Sequence, residues 1–464
     1  MIKRYPRSVA ATCALALATL TCHAAHADNI RYRSFSASAA IGPPAAAFAA
    51  KLDHVTSVVL GDASRVHFIT LPGIPAIPAR FSGDVVAAVS AGEVGGGFDA
   101  AYISGSDLNR TWGFLFNSGI PLGPSFDEFA GFLYGPISGT QSTLDFVQEV
   151  ELGRRGVMAI PIVGSPEQLS GYFLEPMGPA AGRPGIGLAG LCEERWTLRY
   201  LPPGGEVLLL ACDELVREGR IRSKNLAFIE AVPGGGSLVD AVAAGTIQGL
   251  EFATPFDDVS QLFVGTQNPG TLGLRYVHTP GWQQQFLLTW MIVNRARWDA
   301  LGAARQLLVQ TVARDHVLSS YADNLRRQGP ALSVLLAANQ DPRARRAVGV
   351  GAPMASPAGR GGPSWNTGRG GDMVLVQWPT RDLARIRDAT IKFLNQRAHD
   401  ASLPEVDRAD YAHLLDALRA YVHANDRYWN HRQVDPQLRF EGWIDAAGQC
   451  WSDPCDAGRK HGER

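Results

Sequence analysis

Residues 196–207 read Trp196-Thr197-Leu198-Arg199-Tyr200-Leu201-Pro202-Pro203-Gly204-Gly205-Glu206-Val207. An apolar strand ends on an arginine, a Pro-Gly turn follows at once, and a helix opens around Glu206. Strand, tight turn and helix form the repeating unit of a layered α/β sheet. An arginine at that corner has a planar fork of donors beside a helix N-terminus, which suits it to gripping a carboxylate through two parallel hydrogen bonds. The spacing leaves open the other use of such an arginine, pairing with a structural Asp or Glu.

The same alternation extends outward in both directions. Toward the N-terminus, strands at Ile30–Ser34, Val66–Leu71 and Phe98–Ile103 alternate with helices near Ala45–Leu52 and Val85–Ala91, the latter closed by Gly92. A helix is predicted across Leu144–Leu152. Gly156–Val163 is an apolar run bounded by Gly164 and Pro166, as in a buried strand. Leu226–Ala231, Thr246–Phe252 and Leu287–Asn294 have the same character. Beyond Asn294 the pattern turns helical. Leu308, Val312, Leu318, Tyr321 and Leu325 share a face; Leu383, Ile386, Thr390 and Phe393 keep i, i+3, i+7 spacing; Leu414, Leu415, Leu418 and Val422 mark a last amphipathic helix. Residues 340–372 carry Arg-Gly and Gly-Pro clusters with almost no large aliphatic side chains, predicting a surface insert and no packed element.

Compartment and class follow from the ends and the charge. Lys3, Arg4 and Arg7 precede the apolar run Val9–Leu20, and Ala25-His26-Ala27 offers small residues where a signal peptidase reads, predicting a signal peptide over 1–27 and export to the periplasm. That run is too short to span a bilayer. Thr21 before Cys22 is larger than a lipoprotein site accepts. With 43 Lys and Arg against 44 Asp and Glu, the chain lacks the basic excess that a nucleic-acid partner demands. Removal of the signal leaves Cys192, Cys212, Cys450 and Cys455, an even count that points to disulfides in an oxidising compartment. Cys450–Cys455 would staple the tail, and Cys192–Cys212 requires an approach of about 6 Å between Cα atoms.

Enzyme signatures are missing from the sequence. It contains no Gly-x-Ser-x-Gly elbow and no His-Glu-x-x-His, and Gly234-Gly235-Gly236 lacks the spacing of a phosphate loop. Asp257 and Asp258 are adjacent and so point apart. Glu251 is an acid inside the apolar run Leu250–Ala253. A carboxylate buried there needs a cation or hydrogen bonds; capping a helix or pairing with an arginine is the plainer use.

The run around Arg199 resembles the solute-binding proteins of tripartite ATP-independent periplasmic (TRAP) transporters, the DctP-like family, and especially its 2-oxo-acid and carboxylate-binding branch. There a strand ends in Lys-x-Arg, with a Pro and a Gly-Gly-Glu at set distances. Arg199, Pro202 and Gly204-Gly205-Glu206 stand at those offsets, with Thr197 in place of the lysine. Further segments resemble the family in the same order: Gln168-Leu169-Ser170-Gly171-Tyr172-Phe173; Pro233-Gly234-Gly235; Gly245-Thr246-Ile247-Gln248-Gly249-Leu250-Glu251-Phe252; Pro255-Phe256-Asp257-Asp258; and Tyr276-Val277-His278-Thr279-Pro280-Gly281-Trp282. Ala100-Ala101-Tyr102 is a weaker echo.

The resemblance implies a two-lobe α/β protein of the type II periplasmic-binding fold, with crossing strands, a long linking helix and C-terminal helices bracing both lobes. It assigns 28–154 with about 251–282 to lobe I, 155–250 with about 288–339 to lobe II, 340–372 to the insert, and 373–464 to a C-terminal helical extension. It also implies capture of a small organic carboxylate without chemistry. Arg199 would be the clamp, with Tyr102, Gln168, Phe252, His278 and Trp282 around the ligand. Gln168, Glu251 and the backbone of Phe252 would hold a sodium or calcium ion, as an all-oxygen set suits a hard cation. The implied partners are the membrane permease subunits, and a homodimer would form through the C-terminal helices. Two departures bear on the ligand: Phe252 replaces the family's Trp, and Gln284 replaces its glutamate. A sensory or scaffold protein of the same fold, or an exported hydrolase, is the alternative.

Overall fold

A computed structural model describes residues 30–36, 42–62, 65–70, 84–95, 97–103, 120–138, 141–180, 183–200, 203–229, 237–262, 273–336 and 373–430. The predicted signal peptide, the insert and the Cys450–Cys455 pair lie outside these residues. The chain opens with β1 (Ile30–Ser36), α1 (Gly42–Leu60), β2 (Val66–Thr70), α2 (Val85–Ala91) and β3 (Ala100–Ile103). Helix α2 has the predicted bounds because both ends are chemically marked. Asp84 accepts a hydrogen bond from the Ala87 amide at 3.0 Å, and Gly92 closes the helix at φ 64°. Next come α3 (Phe126–Tyr134), the short pair β4 (Pro136–Ser138) and β5 (Gln141–Ser142), and α4 (Thr143–Phe146). Helix α4 widens into a π-turn over Val147–Glu151 before a last α-turn, Leu152–Arg154.

The long strand β6 (Val157–Ser165) leads across to β7 (Gly171–Phe173), α5 (Gly187–Glu193), β8 (Thr197–Arg199), α6 (Gly204–Arg217), β9 (Ala227–Ile229), α7 (Leu238–Ala243) and β10 (Gly249–Leu250). Strands β11 (Tyr276–Thr279) and β12 (Leu287–Asn294) follow, then α8 (Ala303–Leu335), β13 (Val374–Gln377), α9 (Thr380–Ala398) and α10 (Glu405–Asn430). Among the described residues no helix is long and apolar enough to cross a membrane.

Two mixed sheets organise these elements. One has the order β2-β1-β3-β12-β6 and the other β13-β11-β7-β10-β8-β9. Strands β6 and β12 are buried on both faces, which is why each reads as a continuous apolar run without alternation. Helix α8 joins the two halves. Val309, Val312 and Ala313 pack in the core of the first sheet, and Ala331 and Leu335 pack in that of the second.

The sheet memberships correct the implied lobe boundaries. Strand β6 falls within 155–250 yet belongs to the first sheet, and β12, at the start of the 288–339 return, joins it there. Strand β11 falls within 251–282 yet belongs to the second sheet. The reason is an eight-pair antiparallel ladder between β12 and β6, from Leu287↔Ser165 to Asn294↔Val157. Such a ladder is non-local, and nothing in either run marks its partner. The C-terminal region is likewise not wholly helical: Val374–Gln377 pairs in parallel with β11. The predicted strand Thr246–Phe252 shrinks to Gly249–Leu250, since Glu251 and Phe252 turn away toward the helical turn at Pro255–Asp257.

Of the two predicted disulfides, Cys192–Cys212 lies in the described residues and is formed, with Cα atoms 5.5 Å apart, joining α5 to α6.

Candidate functional site

Strands β8, β10 and β11 run in the same direction, and β7 is antiparallel to both β10 and β11. One end of the second sheet therefore collects four segments: the end of β8 at Arg199, the end of β10 at Glu251, the turn after β11, and the approach to β7 through Gln168–Ser170. Crevices at strand C-terminal ends are where ligands bind in open α/β sheets, because backbone groups no longer paired in the sheet converge there.

Arg199 and Glu251 meet at this end. Leu250 is the register partner of Arg199, so Glu251 falls one residue beyond it. The Glu251 amide donates to the Arg199 carbonyl at 3.0 Å. Nη1 of Arg199 donates to the Glu251 carbonyl at 2.6 Å and to its carboxylate at 3.2 Å. The acid is almost fully buried, at 1% exposed, and the arginine side chain keeps 13%. Tyr200, next along the chain, donates to the Ser170 carbonyl. Its phenol is pushed well above the ordinary range, by burial first and by the Glu251 charge second. Tyr200 thus ties the Gln168–Ser170 segment to the Arg199–Glu251 pair.

Gln168 is 4% exposed. Its backbone amide donates to the Gln284 carbonyl at 3.2 Å, and its side-chain oxygen has no hydrogen-bond partner among the described residues. A buried amide oxygen left in that state costs on the order of 1–3 kcal/mol. It is an acceptor held ready for a donor or a cation. The turn that closes over it starts with a cis Thr279–Pro280 bond. It continues through Gly281, whose hydrogen faces the Gln168 carbonyl so closely that a Cβ would collide with it. Gln283 donates to the Leu169 carbonyl at 2.6 Å, and Trp282 stacks on Tyr200 with ring centres 6.0 Å apart. The Trp282 indole N–H is buried and has no acceptor among the described residues.

The remaining predicted residues direct their side chains into apolar packing. His278 is wholly buried; its Nε2 accepts from the Met177 amide at 3.0 Å, and its ring sits edge-on to Phe173. Burial pushes its pKa down to about 3, so the ring is a neutral acceptor holding a loop amide. Tyr102 packs in the core of the first sheet with Phe48, Leu52 and Met291. Phe252 is half-buried against the cluster of Leu169, Tyr172 and Leu250. Asp257 and Asp258 diverge as expected: Asp257 accepts from the Thr254 hydroxyl at 2.7 Å, while Asp258 accepts from the Tyr172 hydroxyl at 2.5 Å and the Ala253 amide at 3.0 Å. Sequence reading missed Tyr200, Ser170, Gln283 and the Tyr172–Asp258 pair. Adjacency to Arg199 was the one available signal, and it pointed to Tyr200 alone.

Two α/β sheets joined by crossing strands and a long helix define the two-lobe type II periplasmic-binding class. Within that class the fold is that of the TRAP solute-binding proteins. The receptor of Colwellia psychrerythraea, with bound calcium and pyruvate, is 14% identical, with a TM-score of 0.61 over 87% of this chain and 98% of that one. The receptor of Pseudoalteromonas atlantica T6c, with bound sodium and pyruvate, is 15% identical, with a TM-score of 0.59 over 87% and 97%. That of Bordetella bronchiseptica RB50, a mixed-occupancy dimer with copurified calcium and picolinate, is 15% identical, with a TM-score of 0.58 over 87% and 95%. No protein-family model and no curated protein matches the sequence.

Proposed function

We propose that this chain is the extracytoplasmic solute-binding protein of a TRAP transporter, that it captures a small organic carboxylate of the 2-oxo-acid type, and that it delivers this ligand to membrane permease subunits without transforming it. The observation that carries the reading is the contact between Arg199 and Glu251 at the C-terminal ends of β8 and β10. In three proteins of the same fold, a carboxylate is found together with sodium or calcium.

Charge counting shows why an ion belongs in the reading. Arg199 and Glu251 cancel one another. A monoanionic ligand entering beside them would leave a net negative charge in a site of low polarity, which is costly. A cation held by the Gln168 side-chain oxygen, the Glu251 carboxylate and the Phe252 carbonyl would restore the balance. The orphaned Gln168 oxygen fits that role. A bound ion would supply positive charge beside the ligand carboxylate. Arg199 then orients the carboxylate, Glu251 holds the guanidinium in register, and Trp282 with Tyr200 forms an apolar wall that excludes water. Because residue 284 is the neutral Gln284, a monovalent ion balances the site and a divalent one leaves it positive. Sodium is therefore favoured over calcium.

The test is calorimetric titration of pyruvate into the intact protein, with and without sodium. Binding should require the ion, and Arg199→Ala should weaken it by two orders of magnitude or more, as expected for removal of one partner from a buried charge pair. Unchanged affinity in Arg199→Ala would remove the arginine from the site. Equal affinity in sodium-free buffer would remove the ion.

A further inference from the structure

Ser320, Asn324 and Gln328 follow one another along α8 at four-residue spacing, which places them in one polar stripe on the helix. The first two grip the end of the crossing strand β6. The Ser320 hydroxyl accepts from the Gly164 amide at 3.0 Å. The Asn324 side-chain amide donates to the Gly164 carbonyl at 3.0 Å and to the Ser165 hydroxyl at 3.1 Å. The third residue reaches the helical turn at Pro255–Asp257. Oε1 of Gln328 accepts from the Phe256 amide at 3.0 Å, and its Nε2 donates to the main-chain carbonyl of Asn324 at 2.8 Å. The Arg327 guanidinium lies over the Phe256 ring, 4.9 Å from its centre.

The stripe therefore touches the two stretches that carry the proposed oxygen donors. Gln168 stands three residues after Ser165, and Phe252 four residues before Phe256. Each link is short and contains a proline, Pro166 in one and Pro255 in the other, whose ring fixes one backbone angle. The sheet does not hold the second stretch, because β10 ends at Leu250. Past that point side chains do the holding. Asp258 accepts from the Ala253 amide at 3.0 Å, Thr254 caps the helical turn, and Gln328 ties that turn to α8. Between Ser320 and Gln328 lie about 12 Å of helix, a length fixed by its own backbone hydrogen bonds.

We propose that Ser320, Asn324 and Gln328 are positioning residues that fix the separation between the Gln168 stretch and the Glu251–Phe252 stretch, and so set the width of the site between them. The inference rests on the function proposed above and names the residues that hold its cation-binding oxygens apart. They act through Gly164, Ser165 and Phe256, not on the ligand itself. An ion is held more tightly when its donors already stand at the right distance, since less ordering is then required on binding. Cutting the stripe should therefore weaken the hold on sodium and spare pyruvate once sodium is saturating. A role in stability alone would lower the unfolding midpoint without moving the sodium requirement.

Gln328→Leu and Asn324→Ala cut the stripe at its two ends in the intact protein. In sodium-free buffer, amide hydrogen exchange over 253–258 should be about tenfold faster in Gln328→Leu, the change that loss of one hydrogen bond makes. Exchange over 157–162 in β6 should stay as in the wild type. In calorimetric titrations with pyruvate, the half-saturating sodium concentration should rise about tenfold in either variant, with pyruvate affinity in saturating sodium unchanged. Either cut frees the same separation, so the double variant should need no more sodium than the worse single one. Should Gln328→Leu fold poorly, the sodium requirement of Asn324→Ala decides the matter. A wild type that binds no pyruvate in sodium sinks the function and this inference together. A wild type that binds, with variants whose sodium requirement matches it, sinks the inference alone and leaves the function standing.

Discussion

At the level of single residues, spacing left two uses open for Arg199, and the contact the structure shows is the pairing with a protein acid, because Glu251 stands one position past the register mate of Arg199 on the neighbouring parallel strand. On the proposed function, that pairing would pre-order the guanidinium, so less side-chain entropy would be lost on binding a ligand carboxylate. Gly281 is the less obvious requirement. Its backbone lies against the Gln168 carbonyl with no room for a methyl group. Gly281→Ala should push the two segments apart, costing about 1–3 kcal/mol in stability as an overpacked site does. It should also weaken ligand binding; urea denaturation and calorimetry on one preparation read both effects. A variant as stable and as tight-binding as the parent would show that the turn yields without cost.

Among the elements, α6 connects the site to the rest of the second half. Its first residue follows the turn after Arg199 and Tyr200, and three side chains tie it to α9: Arg397 to Glu206 at 2.8 Å, Arg385 to Glu218 at 2.8 Å, and Lys392 to Glu214. These pairs are partly exposed, so each contributes at most about 1 kcal/mol and weakens with salt. The disulfide is stronger. Cys192 and Cys212 are both fully buried and close a loop of sequence separation 20, worth about 3 kcal/mol by loop-closure entropy. Reduction should lower the urea midpoint correspondingly while leaving pyruvate affinity intact in the folded protein. Loss of affinity before unfolding would mean that the bridge positions β8 directly. Strand β13 shows the limit of pattern reading: Val374–Gln377 spans four residues, too few for a period-two signal to stand out beside the helices that follow.

For the whole molecule, the halves are linked by β6, β12 and α8 on one side and by the α9–α10 pair on the other, where α9 packs on α6 and α10 packs on α3 and α4. A ligand held at the edge of the second sheet and touched by both halves would favour their approach. Small-angle X-ray scattering should therefore show a smaller radius of gyration with pyruvate and sodium than with either alone. Identical profiles would leave the binding reading without its conformational signal.

The amino-acid sequence by itself determined the α/β class, the order of most elements, the bounds of α2 and β12, and the arginine on which the functional reading rests. These depend on local chemistry: apolar periodicity, capping groups, and glycine or proline at turns. Only the tertiary structure decided which sheet receives β6, β11 and β12. It also turned His278 and Tyr102 into the core and paired Arg199 with Glu251. Those outcomes depend on contacts between residues far apart in the chain, whose energies are gained only once the halves have packed, and no short window of sequence records them.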